Sequence, residues 1–136
     1  PMGYGLGGAI GAAFAAPGRR VVAIVGDGGA LMSINELATI ARHKLNIKII
    51  LLNNGAHSMC MATQRQWLGG NYYATSIDGG LGFPHDWGML AESFGVRVSL
   101  TLDELLYDSS CPNFLEVKID PLESLAFQVK YGEPIA

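Results

Sequence analysis

The sequence predicts an α/β domain built on a doubly wound, mostly parallel sheet with helices on both faces. Two apolar runs and the segment between them carry the prediction. Val21-Val22-Ala23-Ile24-Val25 is β-branched and nearly continuous, as expected of a buried parallel strand, and it stops at Gly26-Asp27-Gly28-Gly29. Ile47-Lys48-Ile49-Ile50-Leu51-Leu52 repeats the pattern and stops at Asn53-Asn54-Gly55. Between the runs, Ser33 stands three residues before Glu36 as a capping-box pair, and Leu37, Ile40, Ala41 and Leu45 continue an apolar stripe at helical spacing. A strand, a helix and a strand of this length form a crossover unit. The two strands are then parallel neighbours, and the carboxyl ends carrying Asp27 and Asn54, 27 residues apart, open on one crevice.

The remaining elements follow in order. Residues 3–16 are small and apolar, with Ile10 and Phe14 at helical spacing and Pro17-Gly18 as a stop. After Asn54 regular periodicity is lost until about residue 85, which reads as a long loop. It holds Met59, Met61, Gln64, Gln66, Trp67, Tyr72 and Tyr73, residues suited to a substrate wall or subunit contacts, although core or interface packing is the commoner fate of such aromatics. Residues 86–94 read as a helix with Leu90, Ala91 and Phe94 inward and Gly95 as its stop, followed by a short strand at Val96-Arg97-Val98. Thr101 with Glu104 is a second capping box for a brief helix, and residues 114–119 form a last strand ended by Asp120-Pro121. We expect one domain over residues 1–136, with a core at 1–121 and a tail at 122–136.

Composition excludes several classes. At 136 residues the chain is long enough to bury roughly 70% of the surface its unfolded form exposes. Its apolar fraction is 49% and its charged fraction only 15%, too little charge to cover a free-standing surface, so several faces are expected to pack on other domains or subunits. A net charge of −3 with no basic run longer than Arg19-Arg20 gives no electrostatic footprint for nucleic acid. No apolar stretch reaches membrane-spanning length, and no signal-peptide pattern is visible. Cys60 and Cys111 lack metal-ligand spacing and read as buried, reduced thiols, as in a cytoplasmic protein. The first residue is Pro1, which suggests a piece of a longer polypeptide.

The crevice itself suggests a chemistry. A hard divalent cation takes carboxylate and carbonyl oxygens, and Mg²⁺ is commonly held by few protein groups while phosphate and water complete its octahedron. Gly28 and Gly29 stand where backbone N–H groups and a helix start attract a diphosphate. A metal-bridged diphosphate accounts for both clusters. Gly26 to Gly29 alone would be explained by a tight turn using glycines at positive φ.

Gly26-Asp27-Gly28, followed after a helix and a strand by Asn53-Asn54, resembles the diphosphate-binding motif of thiamine diphosphate (ThDP) enzymes. Met2-Gly3-Tyr4-Gly5-Leu6 with Ala9-Ile10-Gly11-Ala12, and Asn35-Glu36-Leu37-Ala38-Thr39, resemble the flanking segments of the acetolactate synthase branch, so the similarity runs over about residues 1–121. The resemblance implies the ThDP diphosphate-domain fold. It implies Mg²⁺ held by Asp27 and Asn54 through side-chain oxygens and by Ala56 through its backbone carbonyl. Gly28, Gly29 and Ala30 would offer N–H groups to the diphosphate, with His57 and Ser58 beside it. Met2 falls where the family places the residue that keeps the cofactor bent, and Met59 where a Met lines the reaction site. The implied activity is decarboxylation of a 2-oxo acid, with or without ligation of the product to a second carbonyl. The family's activating glutamate belongs to a pyrimidine-binding domain that this chain does not match, normally supplied across a homo-oligomer interface, and so the catalytic residue is not assigned here. His57 is the one candidate proton donor, and a polar loop role is equally open to it.

One departure bears on substrate. Acetolactate synthases carry Gln-Trp where this chain has Ala62-Thr63, with Gln64, Gln66 and Trp67 displaced. The segments around Thr63-Gln64, Leu68-Gly69-Gly70 and Gly80-Leu81-Gly82-Phe83-Pro84 are more similar to synthase-like proteins of surface-sugar pathways. Three other readings stand beside this one: a separately encoded β subunit of a sulfopyruvate or phosphonopyruvate decarboxylase, a non-catalytic scaffold, and a nicotinamide dinucleotide domain. The last rests on Gly3, Gly5 and Gly8 in G-x-G-x-x-G spacing with Asp27 about 20 residues on, but it leaves the Asn-Asn-Gly cluster without a role.

Overall fold

The computed structural model describes residues 1–108 and 112–123. Helix α1 (Tyr4–Ala15) leads into strand β1 (Val21–Gly26); the short helix α2 (Asp27–Leu31) and helix α3 (Glu36–Arg42) cross to strand β2 (Ile47–Asn53). Helix α4 (Ser58–Trp67), helix α5 (Trp87–Ser93), strand β3 (Arg97–Val98), helix α6 (Leu102–Tyr107) and strand β4 (Asn113–Lys118) follow. The described strands form one sheet in the order β1-β2-β4-β3, and every pairing is parallel. The α/β class and the β1–β2 crossover are as the apolar runs predict.

Register explains where the core lies. Val21, Ala23 and Val25 pair with Ile47, Ile49 and Leu51, so these residues share one face of the sheet. Leu6, Ala9 and Ala13 of α1, Leu37 and Ile40 of α3, and Trp87 and Ala91 of α5 join them in one buried cluster. Small residues on α1 allow close approach: a Cβ on Gly5 would collide with the Val25 side chain. Gly8 likewise leaves room for the Tyr4 ring. Two of the three glycines of the dinucleotide pattern therefore serve packing of α1, and the third, Gly3, caps its start at φ +76°.

The opposite face is covered unevenly. Lys48, one residue out of step with Ile47 and Ile49, is fully buried there, and its Nζ donates to the Asp108 carbonyl just beyond α6. Asp108 also meets Arg97 at 2.8 Å, and the Asn113 amide accepts from the Ser99 hydroxyl at 2.9 Å. Toward β1 this cover is missing. Val22 is 46% and Ile24 64% exposed, so β1 is buried on one face only, a correction to the two-sided burial its apolar run suggests. An unbroken run is what two-sided burial requires, but one-sided burial permits it too.

Three further local readings change. Ser33 does not cap α3; its hydroxyl donates to the Gly3 carbonyl at 2.8 Å, and Asn35 stands at the cap position without a side-chain capping bond. The segment after Asn54 is not loop throughout: residues 58–67 form α4, and irregular backbone follows over 68–86. Only Met61 of that helix is buried, so its sequence carries no apolar stripe to read. Cys60 is exposed, not buried, and Cys111 lies outside the described residues, as does the tail beyond residue 123. Two helix starts agree with expectation: Thr101 Oγ1 accepts from Glu104 N–H at 3.1 Å, and Asp86 Oδ1 from Met89 N–H at 2.8 Å.

Candidate functional site

β1 and β2 end side by side, with Gly26 paired to Leu52, so the residues that follow emerge at one edge of the sheet. Asp27 is 3% exposed and surrounded by backbone donors. Its Oδ1 accepts from Gly28 N–H at 2.7 Å, and its Oδ2 from Asn54 N–H at 3.1 Å and Gly55 N–H at 2.7 Å. A carboxylate with three such bonds is fixed in orientation and keeps acceptor capacity only on Oδ1. Gly55 reaches this arrangement at φ +64°, a conformation that glycine adopts without strain.

Asn54 and Ala56 complete the edge. Asn54 Oδ1 accepts from Ala56 N–H at 3.0 Å and keeps a second lone pair, while its Nδ2 donates to Ser58 Oγ at 2.8 Å. Ser58 in turn donates to the Pro121 carbonyl at 3.0 Å, tying the loop to the exit of β4. Ala56 pairs with Ser76 in an isolated antiparallel bridge whose bond runs from His57 N–H to Thr75 O at 2.8 Å, so the bridge does not consume the Ala56 carbonyl.

A cavity of about 310 Å³ opens over this edge. Of the residues expected at the site, Met2, Asp27, Gly28, Gly29, Asn54, Ala56, His57, Ser58 and Met59 line it, and Ala30 does not, being buried in the core beneath. Gly26, Met32 and Cys60 line it as well. No sequence pattern singles out Met32, and Cys60 reads from sequence as a buried thiol. Gly28 brings backbone and imidazole into contact: a Cβ there would lie 2.6 Å from His57 Nδ1. The other side of the His57 ring meets Phe83 edge-on at 5.8 Å, and Phe83 leans on Trp87 at 6.3 Å. Trp67 and Tyr73 are exposed and do not line this cavity.

The donor set fits a hard cation. Among the described residues no group of three or more His, Cys, Asp or Glu side chains could hold a metal. Asp27, Asn54 and Ala56 line one cavity instead, and a carboxylate, an amide oxygen and a backbone carbonyl are a sparse oxygen set of the kind Mg²⁺ takes when phosphate and water supply the rest. Gly26, Gly28 and Gly29 line the same cavity.

Residues 1–109 match the family model described as "Thiamine pyrophosphate enzyme, C-terminal TPP binding domain". The chain belongs to this family. Among relatives, it is 36% identical over 133 residues to the acetolactate synthase isozyme 2 large subunit of Escherichia coli (strain K12), covering 91% of this chain and 23% of that protein. It is also 36% identical over 132 residues to the probable acetolactate synthase large subunit of Methanocaldococcus jannaschii, covering 91% of this chain and 22% of the relative. Among solved structures, the Rhodococcus jostii RHA1 thiamine diphosphate-dependent 4-hydroxybenzoylformate decarboxylase superposes with a TM-score of 0.73 at 29% identity, over 88% of this chain and 23% of that one. This TPP-binding domain thus spans under a quarter of the relatives' length. Membership in a ThDP family displaces the nicotinamide reading, whose glycines lie within α1 or at its cap.

Proposed function

We propose that this TPP-binding domain is the diphosphate and Mg²⁺ anchor of an enzyme that decarboxylates a 2-oxo acid and, in the manner of acetolactate synthases, can pass the product to a second carbonyl. The observation that carries the reading is the Asp27 carboxylate, buried between two strand ends and held by the N–H groups of Gly28, Asn54 and Gly55. Its remaining acceptor site on Oδ1, the second lone pair of Asn54 Oδ1 and the Ala56 carbonyl are the proposed metal ligands. The backbone around Gly28 and Gly29 lies against the diphosphate, with Ala30 contributing only backbone from below, and His57 and Ser58 at its side. Met2 and Met59 flank the reacting end, and Met32 joins them.

When bound, ThDP supplies the electron sink that loss of CO₂ from a 2-oxo acid requires. The chain's own task is to fix the cofactor, neutralise its diphosphate through the metal and keep water from the reacting end. Activity further needs a pyrimidine-binding domain, from the same polypeptide or a partner, in a cytoplasmic homo-oligomer; no described helix is long and apolar enough to cross a membrane. Met2, Met32 and Met59 on the cavity wall suit an uncharged substrate side chain.

A calorimetric titration of ThDP with and without Mg²⁺ tests the reading, with NAD as control. Binding heat that requires both Mg²⁺ and Asp27, and disappears in Asp27→Ala, is expected. Mg²⁺-independent binding, or heat from NAD and none from ThDP, would refute it.

A further inference from the structure

We infer that Glu116 is a positioning residue for the metal loop, acting through Asn53. The inference rests on Asp27 and Asn54 being the metal ligands proposed above. Glu116 lies on β4 on the same face as its register partner Leu51, which is fully buried, so a carboxylate there is out of keeping with its apolar neighbours. It meets the first asparagine of the Asn-Asn-Gly turn: Asn53 Nδ2 donates to Glu116 Oε1 at 2.6 Å. The other end of the same amide accepts from Gly55 N–H at 2.9 Å, and that N–H is shared with Asp27 Oδ2 at 2.7 Å.

The two ends of the Asn53 amide have opposite requirements. Gly55 offers a donor and needs the oxygen; an ionised Glu116 can only accept and needs the nitrogen. One orientation satisfies both. Without the carboxylate, the amide is free to turn its NH₂ toward Gly55 N–H, placing donor against donor. The Gly55 amide then loses one of its two acceptors, and with it the constraint that pins Asp27 Oδ2 and leaves Oδ1 toward the cavity. Glu116 touches neither metal nor cofactor in this scheme. Partners one step removed from metal ligands commonly govern ligand orientation in this way.

Two readouts on Glu116→Ala, Glu116→Gln, Asn53→Ala and the Glu116→Ala/Asn53→Ala pair test the scheme. The first is hydrogen exchange of the Gly55 amide in cofactor-free protein. Glu116→Ala and Asn53→Ala should speed it while the amides of Ile49 and Leu51 keep their wild-type rates, which separates a local effect from general unfolding. The second is Mn²⁺ affinity in the presence of ThDP, which should fall about 10- to 100-fold in either single alanine variant and no further in the pair. Glu116→Gln, which retains a side-chain acceptor, should stay near wild type in both. Wild-type Gly55 exchange in Glu116→Ala, additive losses in the pair, or a Gln variant as impaired as the Ala variant would overturn the inference. Wild-type protein that takes up no Mn²⁺ with ThDP would instead count against the functional reading, and the exchange data would still decide the role of Glu116.

Discussion

Gly28 has no room for a side chain, because the His57 ring already occupies the position where one would grow. Gly28→Ala should therefore push His57 out of the cavity and weaken ThDP binding, by calorimetry, by at least about tenfold, equivalent to about 1.4 kcal/mol. Adding His57→Ala to Gly28→Ala removes the collision and should recover part of the loss; no recovery would mean that the alanine blocks the cofactor itself. The meeting of Asp27 and Asn54 at one sheet edge was legible because each stands in the polar turn that ends an apolar run, and parallel pairing brings such turns together. Ser33 was misread for a physical reason. Its spacing to Glu36 suits a cap, but the hydroxyl finds the Gly3 carbonyl, 30 residues earlier, a contact no local pattern encodes. Ser33→Ala should cost about 1 kcal/mol in chemical denaturation by leaving that carbonyl short of a donor, whereas Glu36→Gln should leave stability unchanged. Glu116 and Asn53 were invisible in the same way, since their partnership depends on which strand lies next to β2.

Elements were readable where burial is one-sided and regular, and hidden where it is not. α4 escaped detection because its side chains mostly face solvent, whereas α5 was located by its Asp86 start and by Gly95 at φ +83°. β1 and β2 look alike in sequence, yet only β2 is interior to the sheet. That difference can be measured. Ile24→Thr, on the open face, should change stability by less than about 0.5 kcal/mol. Ile49→Val, fully buried on the packed face, should cost about 0.5–1.5 kcal/mol by the same denaturation assay. Equal effects would contradict the one-sided burial of β1. Just past α6 the buried Lys48 ammonium donates to the Asp108 carbonyl at 2.8 Å. Removing the Thr101 cap at the other end of that helix should cost about 1 kcal/mol.

The whole molecule has the surface its composition foretold. With 15% charged residues, it exposes Val22, Ile24, Met32, Met59, Trp67 and Tyr73 in part or in full, an arrangement suited to contact with further protein. Its relatives are four to five times longer. We accordingly predict that this chain alone, supplied with ThDP and Mg²⁺, releases no CO₂ from a 2-oxo acid, and that adding a pyrimidine-binding domain restores release; turnover by the isolated chain would contradict the division of labour. The proposed function depends on the metal lying where two strand ends meet. The most direct test is a crystal of the chain grown with ThDP and Mn²⁺ and measured for anomalous scattering. One peak about 2.0–2.2 Å from Asp27 Oδ1, Asn54 Oδ1 and the Ala56 carbonyl is the predicted result. A peak bound to other residues, or ThDP in the cavity with no metal at this edge, would contradict it.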